Sequence, residues 1–402
     1  MKNKSTFLKI FIFSLLVLAI KVFISSFFTG PLIIPDESCI IVKAKALINT
    51  GELFGCNDLF GRNTGDPFPL YSLIIAPLYV FFKGPSLYQA ILILNAVLMT
   101  SLIFPLKRIL EIISPKKSNI LPTIFITLFS VGILMFENTA MTETLFTALN
   151  IWALYFYLNS FVGKRKTNLA VAIILGVASA LTRPFGFITL IAMALNEFVL
   201  AKNKRKLAIL TVVLIAGIGL LISLYLPKIL PTFWAKIKIT SDPEYILKLL
   251  KAIINQINSL SFATYFIPIV IFFHYFSFEK NVFFKKIRFY ILFLCAGIFL
   301  ISLQHLYGYF ISGLPAGMST RYINLPVTIL TFFSIHFLTK NKDIKVGGKT
   351  ITLIGVLAFF LIFQSKDDFS SGISLVFSDR FFSTQITTYF FIIASILSLA
   401  LI

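Results

Sequence analysis

The chain has 402 residues, 58% of them hydrophobic and only 13% charged, with a mean hydropathy of +0.92. Soluble domains run nearer half apolar and a quarter charged, so a water-soluble globule is excluded. The formal charge of +20, from 36 Lys and Arg against 16 Asp and Glu, would point to nucleic acid in a soluble protein. Here the basic residues form short clusters between long apolar runs, the mark of a polytopic membrane protein that binds no nucleic acid.

A membrane-crossing helix needs about 20 apolar residues. Apolar runs between polar breaks predict twelve spans, near 7–29, 86–106, 119–136, 141–161, 168–182, 185–200, 207–226, 260–277, 288–304, 321–338, 349–364 and 382–402. The first run is too long for a signal peptide and lacks an A-x-A cleavage site, so it reads as a retained anchor. No soluble domain is expected at either end. The expected fold is therefore an all-α polytopic membrane protein, one domain over 1–402.

Six short stretches hold 22 of the 36 basic residues: Lys2 to Lys9, Lys107 to Lys117, Lys164 to Lys166, Lys202 to Lys206, Lys280 to Arg288 and Lys340 to Lys349. Short basic loops face the cytoplasm, which puts both termini there. Three longer regions then face outward, 30–85, 227–259 and 365–381. In the first, 69–82 is apolar but short and carries two prolines, and reads as an interfacial helix. In the second, Asp242-Pro243-Glu244 has the chemistry of a helix start. Ile246, Leu249, Leu250, Ile253 and Ile257 follow at the spacing of an amphipathic helix.

Ionisable groups at membrane depth are costly and therefore informative. Asp36 and Glu37 lie a few residues beyond the first run. Two adjacent carboxylates there suit a general base or a metal ligand; equally, Asp36 suits the cap of a helix over 37–50. Arg183, in Leu181-Thr182-Arg183-Pro184, joins two apolar stretches of 15 and 16 residues. Each reaches roughly 23 Å at 1.5 Å per residue, short of a hydrocarbon core of about 30 Å. A guanidinium in that turn needs an anion, either a lipid phosphate or a neighbouring carboxylate. Arg321-Tyr322 opens a later span and reads as a second phosphate contact or an interfacial anchor. Glu143 begins its span, where a helix N-terminus favours a carboxylate.

His274, His305 and His336 are scattered, so no cofactor or catalytic metal is expected. His305 with an acidic residue of the first external region is the one combination left open for a structural metal. Cys39 and Cys56 share that region, where an oxidising compartment permits a disulfide. Cys295 lies within a span as an apolar packer.

The order of these motifs resembles the GT-C integral membrane glycosyltransferases, the protein mannosyltransferase and aminoarabinose transferase superfamily. The resemblance rests on an anchor helix followed by Pro35-Asp36-Glu37, Ala44 to Leu53, Phe68-Pro69-Leu70-Tyr71 with Ala76-Pro77-Leu78-Tyr79, Thr142-Glu143-Thr144, Thr182-Arg183-Pro184, and Arg321-Tyr322 before Pro326. It spans about 30–340 and is strongest over 30–85. Pro67 stands where the aminoarabinose enzymes carry a lysine, so their donor and acceptor do not transfer.

The resemblance implies a bundle of about 12 transmembrane helices with a structured first external loop carrying interfacial helices. It also implies an inverting enzyme that moves a sugar from a polyprenyl-phosphate donor to a hydroxyl of a glycan, lipid or protein at the external face, in a bacterial inner membrane. Asp36 and Glu37 would be catalytic, Arg183, Arg321 and Tyr322 would contact the donor phosphate, and Asp66, Tyr71 and Glu143 would bind substrate. The alternatives are a lipid-sugar flippase or transporter, and an oligosaccharide polymerase or ligase.

Overall fold

The computed structural model describes residues 2–28, 30–31, 35–52, 69–114, 120–183, 185–201, 253, 272, 276, 281–311 and 323–340. Among them every regular element is a helix and none is a strand. Three helical stretches, Phe7–Ser25, Gly84–Ile113 and Val282–Leu303, are long and apolar enough to cross a membrane, and Leu70–Phe81 and Gly186–Leu200 are shorter apolar ones. The chain is an all-α membrane protein. All of the expected runs 207–226, 349–364 and 382–402 and most of 260–277 lie outside the described residues, as do nearly all of the 227–259 region and its amphipathic helix.

The chain divides into two compact units, Met1–Phe187 and Ile188–Ile402. In the first, α1 (Lys2–Ser25) packs along α5 (Gly84–Ser101). Its remaining faces expose Phe7, Phe11, Leu15, Leu16 and Phe23, the composition lipid favours. Between them, α2 (Pro35–Thr50) packs on α3 (Leu70–Ile75) and α4 (Leu78–Phe81). Glu37, Ile40 and Ala44, at i, i+3 and i+7, are buried together with Cys39 and Lys43. Two hydroxyls fasten the short helices to α2: Tyr79 donates to the Ile41 carbonyl at 2.6 Å and Ser72 to that of Ile40 at 3.3 Å.

Gly84 opens α5 at φ +54, a left-handed turn that glycine adopts without steric cost, and Pro85 follows at the helix start. A bend at Leu102 separates α5 from α6 (Ile103–Ile113). The cause is Pro105, whose missing N–H leaves the Ser101 carbonyl without its helical donor. The apolar run continues to Ile113, beyond the expected end at 106, because Glu111 neutralises Lys107 and Arg108 one turn away on the same helix.

The expected span 119–136 is two helices, α7 (Ile120–Leu128) and α8 (Val131–Glu137), broken at an extended Ser130. A non-helical turn, 138–142, leads into α9 (Glu143–Asn159), which packs along α10 (Arg165–Thr182). Asn150 ties that pair by donating to the Ser179 hydroxyl at 2.7 Å. The helix α10 begins three residues before the apolar run, at Arg165, whose guanidinium stacks on Phe161. After an extended Arg183 the chain enters α11 (Gly186–Leu200).

In the second unit, α12 (Val282–Ile311) is capped by Asn281, whose side-chain Oδ1 accepts the Phe283 and Phe284 amides at 2.8 and 3.0 Å. It runs past both ends of the expected 288–304 span, so His305 is a helical residue and not part of a loop. Asn196 of α11 donates to the Lys286 carbonyl at 2.8 Å and accepts the Tyr290 amide at 3.1 Å. Phe284 packs edge-on against Phe333 and Phe337 of α13 (Asn324–Lys340).

The connection between α10 and α11 is tight: a Cβ on Gly186 would collide with the backbone of Ser179 and Ala180. Backbone yields less readily than a flexible side chain, so Gly186→Ala is expected to cost about 3 kcal/mol, the upper end for overpacking. A Cβ on Gly163 meets nothing within 4 Å, and Gly163→Ala should leave stability unchanged. Thermal unfolding of the two detergent-purified variants checks both outcomes.

Candidate functional site

Most of the candidate residues that the structure describes converge on one short stretch of backbone, 137–143, where α8 ends and α9 begins. The chain there leaves the helical ladder, so its amides and carbonyls need partners from elsewhere. Side chains from α2 and α5 supply them, and α1 engages the side chains of Glu137 and Asn138.

From α2 comes Glu37, wholly buried, whose Oε1 accepts the Ala140 amide at 2.6 Å and the Tyr88 hydroxyl at 2.9 Å. The helix begins at Pro35, two residues before the expected 37–50, so Asp36 sits inside its first turn and is not the residue before it. That removes the N-cap reading of Asp36. Both acidic residues then lie at the positive end of the helix dipole.

From α5 comes Asn95, fully satisfied inside the bundle. It donates to the Thr139 carbonyl at 2.9 Å and the Glu137 carbonyl at 3.2 Å, and accepts the Tyr71 hydroxyl at 2.8 Å. Tyr71, a substrate-binding candidate, is buried, and its phenol donates to Asn95.

From α1 come Lys21 and Ser25, one turn apart. The Lys21 ammonium is 2.6 Å from Glu137 Oε2, donates to the Leu128 carbonyl at 2.9 Å and lies 4.9 Å from the centre of the Phe129 ring. Both members of the ion pair are wholly buried. Ser25 donates to Asn138 Oδ1 at 2.9 Å.

At the far end of the stretch Glu143 starts α9, as expected, and holds Arg183 with Oε1 2.8 Å from Nη1. The Arg183 side chain is 8% exposed and that of Glu143 is 1% exposed. Of the two anions open to Arg183 in the sequence, the structure supplies a carboxylate. Phe185 lies beneath the guanidinium at 5.3 Å.

Asp66, Arg321 and Tyr322 lie outside the described residues. Cys39 is disulfide-bonded and Cys295 is free, while Cys56 lies outside the described residues. Among the described residues no three His, Cys, Asp or Glu side chains gather at one point.

Sequence reasoning did not single out Glu137, Tyr88, Asn95 or Asn138. A signal existed for the first: Lys21 is a lone cation in an apolar run and demands a buried acid. Neutral side chains such as Asn95 give no comparable warning.

Tyr88→Phe deletes one donor to Glu37 and leaves the Ala140 amide in place; its expected cost is about 1 kcal/mol. Glu37→Leu strands a buried backbone amide and is expected to cost about 3 kcal/mol. Equilibrium unfolding in detergent ranks the two. Neither a family model nor a curated protein matches the chain.

Proposed function

We propose that this protein is an inverting membrane glycosyltransferase that moves a sugar from a polyprenyl-phosphate donor to an acceptor hydroxyl. In this reading it has a GT-C-like bundle of about 12 transmembrane helices in a bacterial inner membrane, with both termini cytoplasmic and the reaction at the external face. The observation that supports it is the chain of contacts from the acidic first turn of α2 to the cation between α10 and α11. Glu37 grips the Ala140 amide, and three residues on Glu143 grips Arg183. An acid-bearing helix end and a buried guanidinium thus belong to one framework.

The division of labour follows from helix geometry. Neighbouring helical positions diverge by about 100°, so the burial of Glu37 leaves position 36 on another face of α2. Glu37 secures the helix and Asp36 is the base. It takes the proton of the acceptor hydroxyl as that oxygen attacks the anomeric carbon. The sugar–phosphate bond breaks on the opposite side, and a single displacement inverts the configuration. Charge grows on the departing phosphate, where a fixed guanidinium away from bulk water stabilises it. Arg183 serves there, held by Glu143 and sharing its five-donor fork between the carboxylate and the phosphate. Arg321 and Tyr322 remain the second phosphate contact of this reading, and Asp66 a sugar contact. No nucleotide or other cofactor takes part.

One feature favours a second reading, a lipid-sugar flippase: the break at Ser130 and the buried Lys21–Glu137 pair beside it, since carriers use interrupted helices and buried charges. Mass spectrometry of lipid-linked sugars and surface glycans separates the two. Asp36→Asn should fold normally and slow transfer by about 10²–10⁴-fold, with the donor accumulating, and Arg183→Ala should weaken donor use. Full turnover by Asp36→Asn, or sugar-lipid flux in vesicles without covalent transfer, removes the enzyme reading.

A further inference from the structure

We propose that Lys21 and Ser25 of α1 are positioning residues for the Glu143–Arg183 pair, acting through the 138–142 turn. The proposal takes the importance of Arg183 from the reading above, and its tests need no sugar chemistry.

The geometry runs through one ammonium. Lys21 touches the last residue of α7 at the Leu128 carbonyl and the last residue of α8 at Glu137. It therefore bridges both sides of the Ser130 break and fixes where α8 ends. One helical turn later, the Ser25 hydroxyl lies 2.9 Å from Asn138 Oδ1, on the first residue of the turn, and 2.9 Å from the Lys21 carbonyl of its own helix, so one proton is shared between the turn and α1. Five residues beyond Asn138 is Glu143, the partner of Arg183. Across this interval the backbone has no helical ladder of its own, so its course depends on side chains that grip it.

A purely stabilising role would not need charge. Apolar residues of similar volume commonly replace a buried ion pair at no loss of stability, whereas removing one partner alone is costly. What apolar residues do not reproduce is the register set by two directed contacts from one ammonium. Lys21 and Glu137 are 116 residues apart in sequence, and the pair joins the membrane-crossing α1 to the start of the candidate site.

The experiment is a double-mutant cycle on Glu143→Gln and Arg183→Gln, read by equilibrium unfolding of the full chain in detergent. It is run in the wild-type background and in Lys21→Met/Glu137→Met. A coupling of about fivefold or more in the unfolding constant is expected for a contacting wild-type pair, falling to within twofold of none when the α1 clamp is apolar. Equal coupling in both backgrounds overturns the proposal.

Ser25→Ala provides a second measurement that stands even where the double variant fails to fold. Hydrogen exchange of amides 138–142 should accelerate at least fivefold while the second half of α9 is unchanged. Unaltered exchange in the turn counts against the proposal. Binding of farnesyl phosphate separates this inference from the functional one. If the clamp controls the coupling but Arg183→Gln does not weaken that binding, the positioning stands and the donor-phosphate site falls.

Discussion

A helix that ends inside an apolar bundle must have its exposed amides and carbonyls answered by polar side chains, because neither lipid nor packed apolar side chains can do so. The interruption between α8 and α9 creates that demand, and the described part of the first unit is organised around meeting it. Glu37 answers an amide, Asn95 answers two carbonyls, and Ser25 engages the side chain of Asn138. Each comes from a different helix. The turn is thus the point at which α1, α2 and α5 are held in common.

The same constraint accounts for the placing of the charges. Lys21 and Arg183 would each be costly if buried alone, and each has a carboxylate at one end of the same stretch, Glu137 and Glu143. Glu37 reaches the same stretch at Ala140, accepting its amide and the Tyr88 phenol. Three acids therefore meet one backbone turn by three routes.

Much of this architecture is legible in the sequence because hydropathy reports which segments avoid water. The starts of α9, α11 and α13 fall within a few residues of the apolar runs at 141, 185 and 321. Boundaries at charged residues read poorly. Lys107 and Arg108 seem to end a span, yet Glu111 neutralises them and the helix continues. Arg165 likewise enters α10 because its stem and its stacking on Phe161 let it remain helical. The break at Ser130 has no proline or glycine at its centre, so composition alone reads 119–136 as continuous.

The candidate site was legible in its residue types and not in its pairings. Asp36-Glu37 and Arg183 stand out because ionisable groups are scarce in such a chain. The partner of a charge more than 100 residues away leaves no local trace, and Asn95, with three hydrogen bonds, is an ordinary amide in the sequence. A one-residue difference also changes the helix face. Glu37 falls on the face of α2 that carries Ile40 and Ala44 inward, and a 3.6-residue period turns position 36 away from it. Adjacency makes the pair look like a single acidic motif, yet the helical period puts its two positions on different faces, and it is the Glu37 carboxylate that accepts the Ala140 amide.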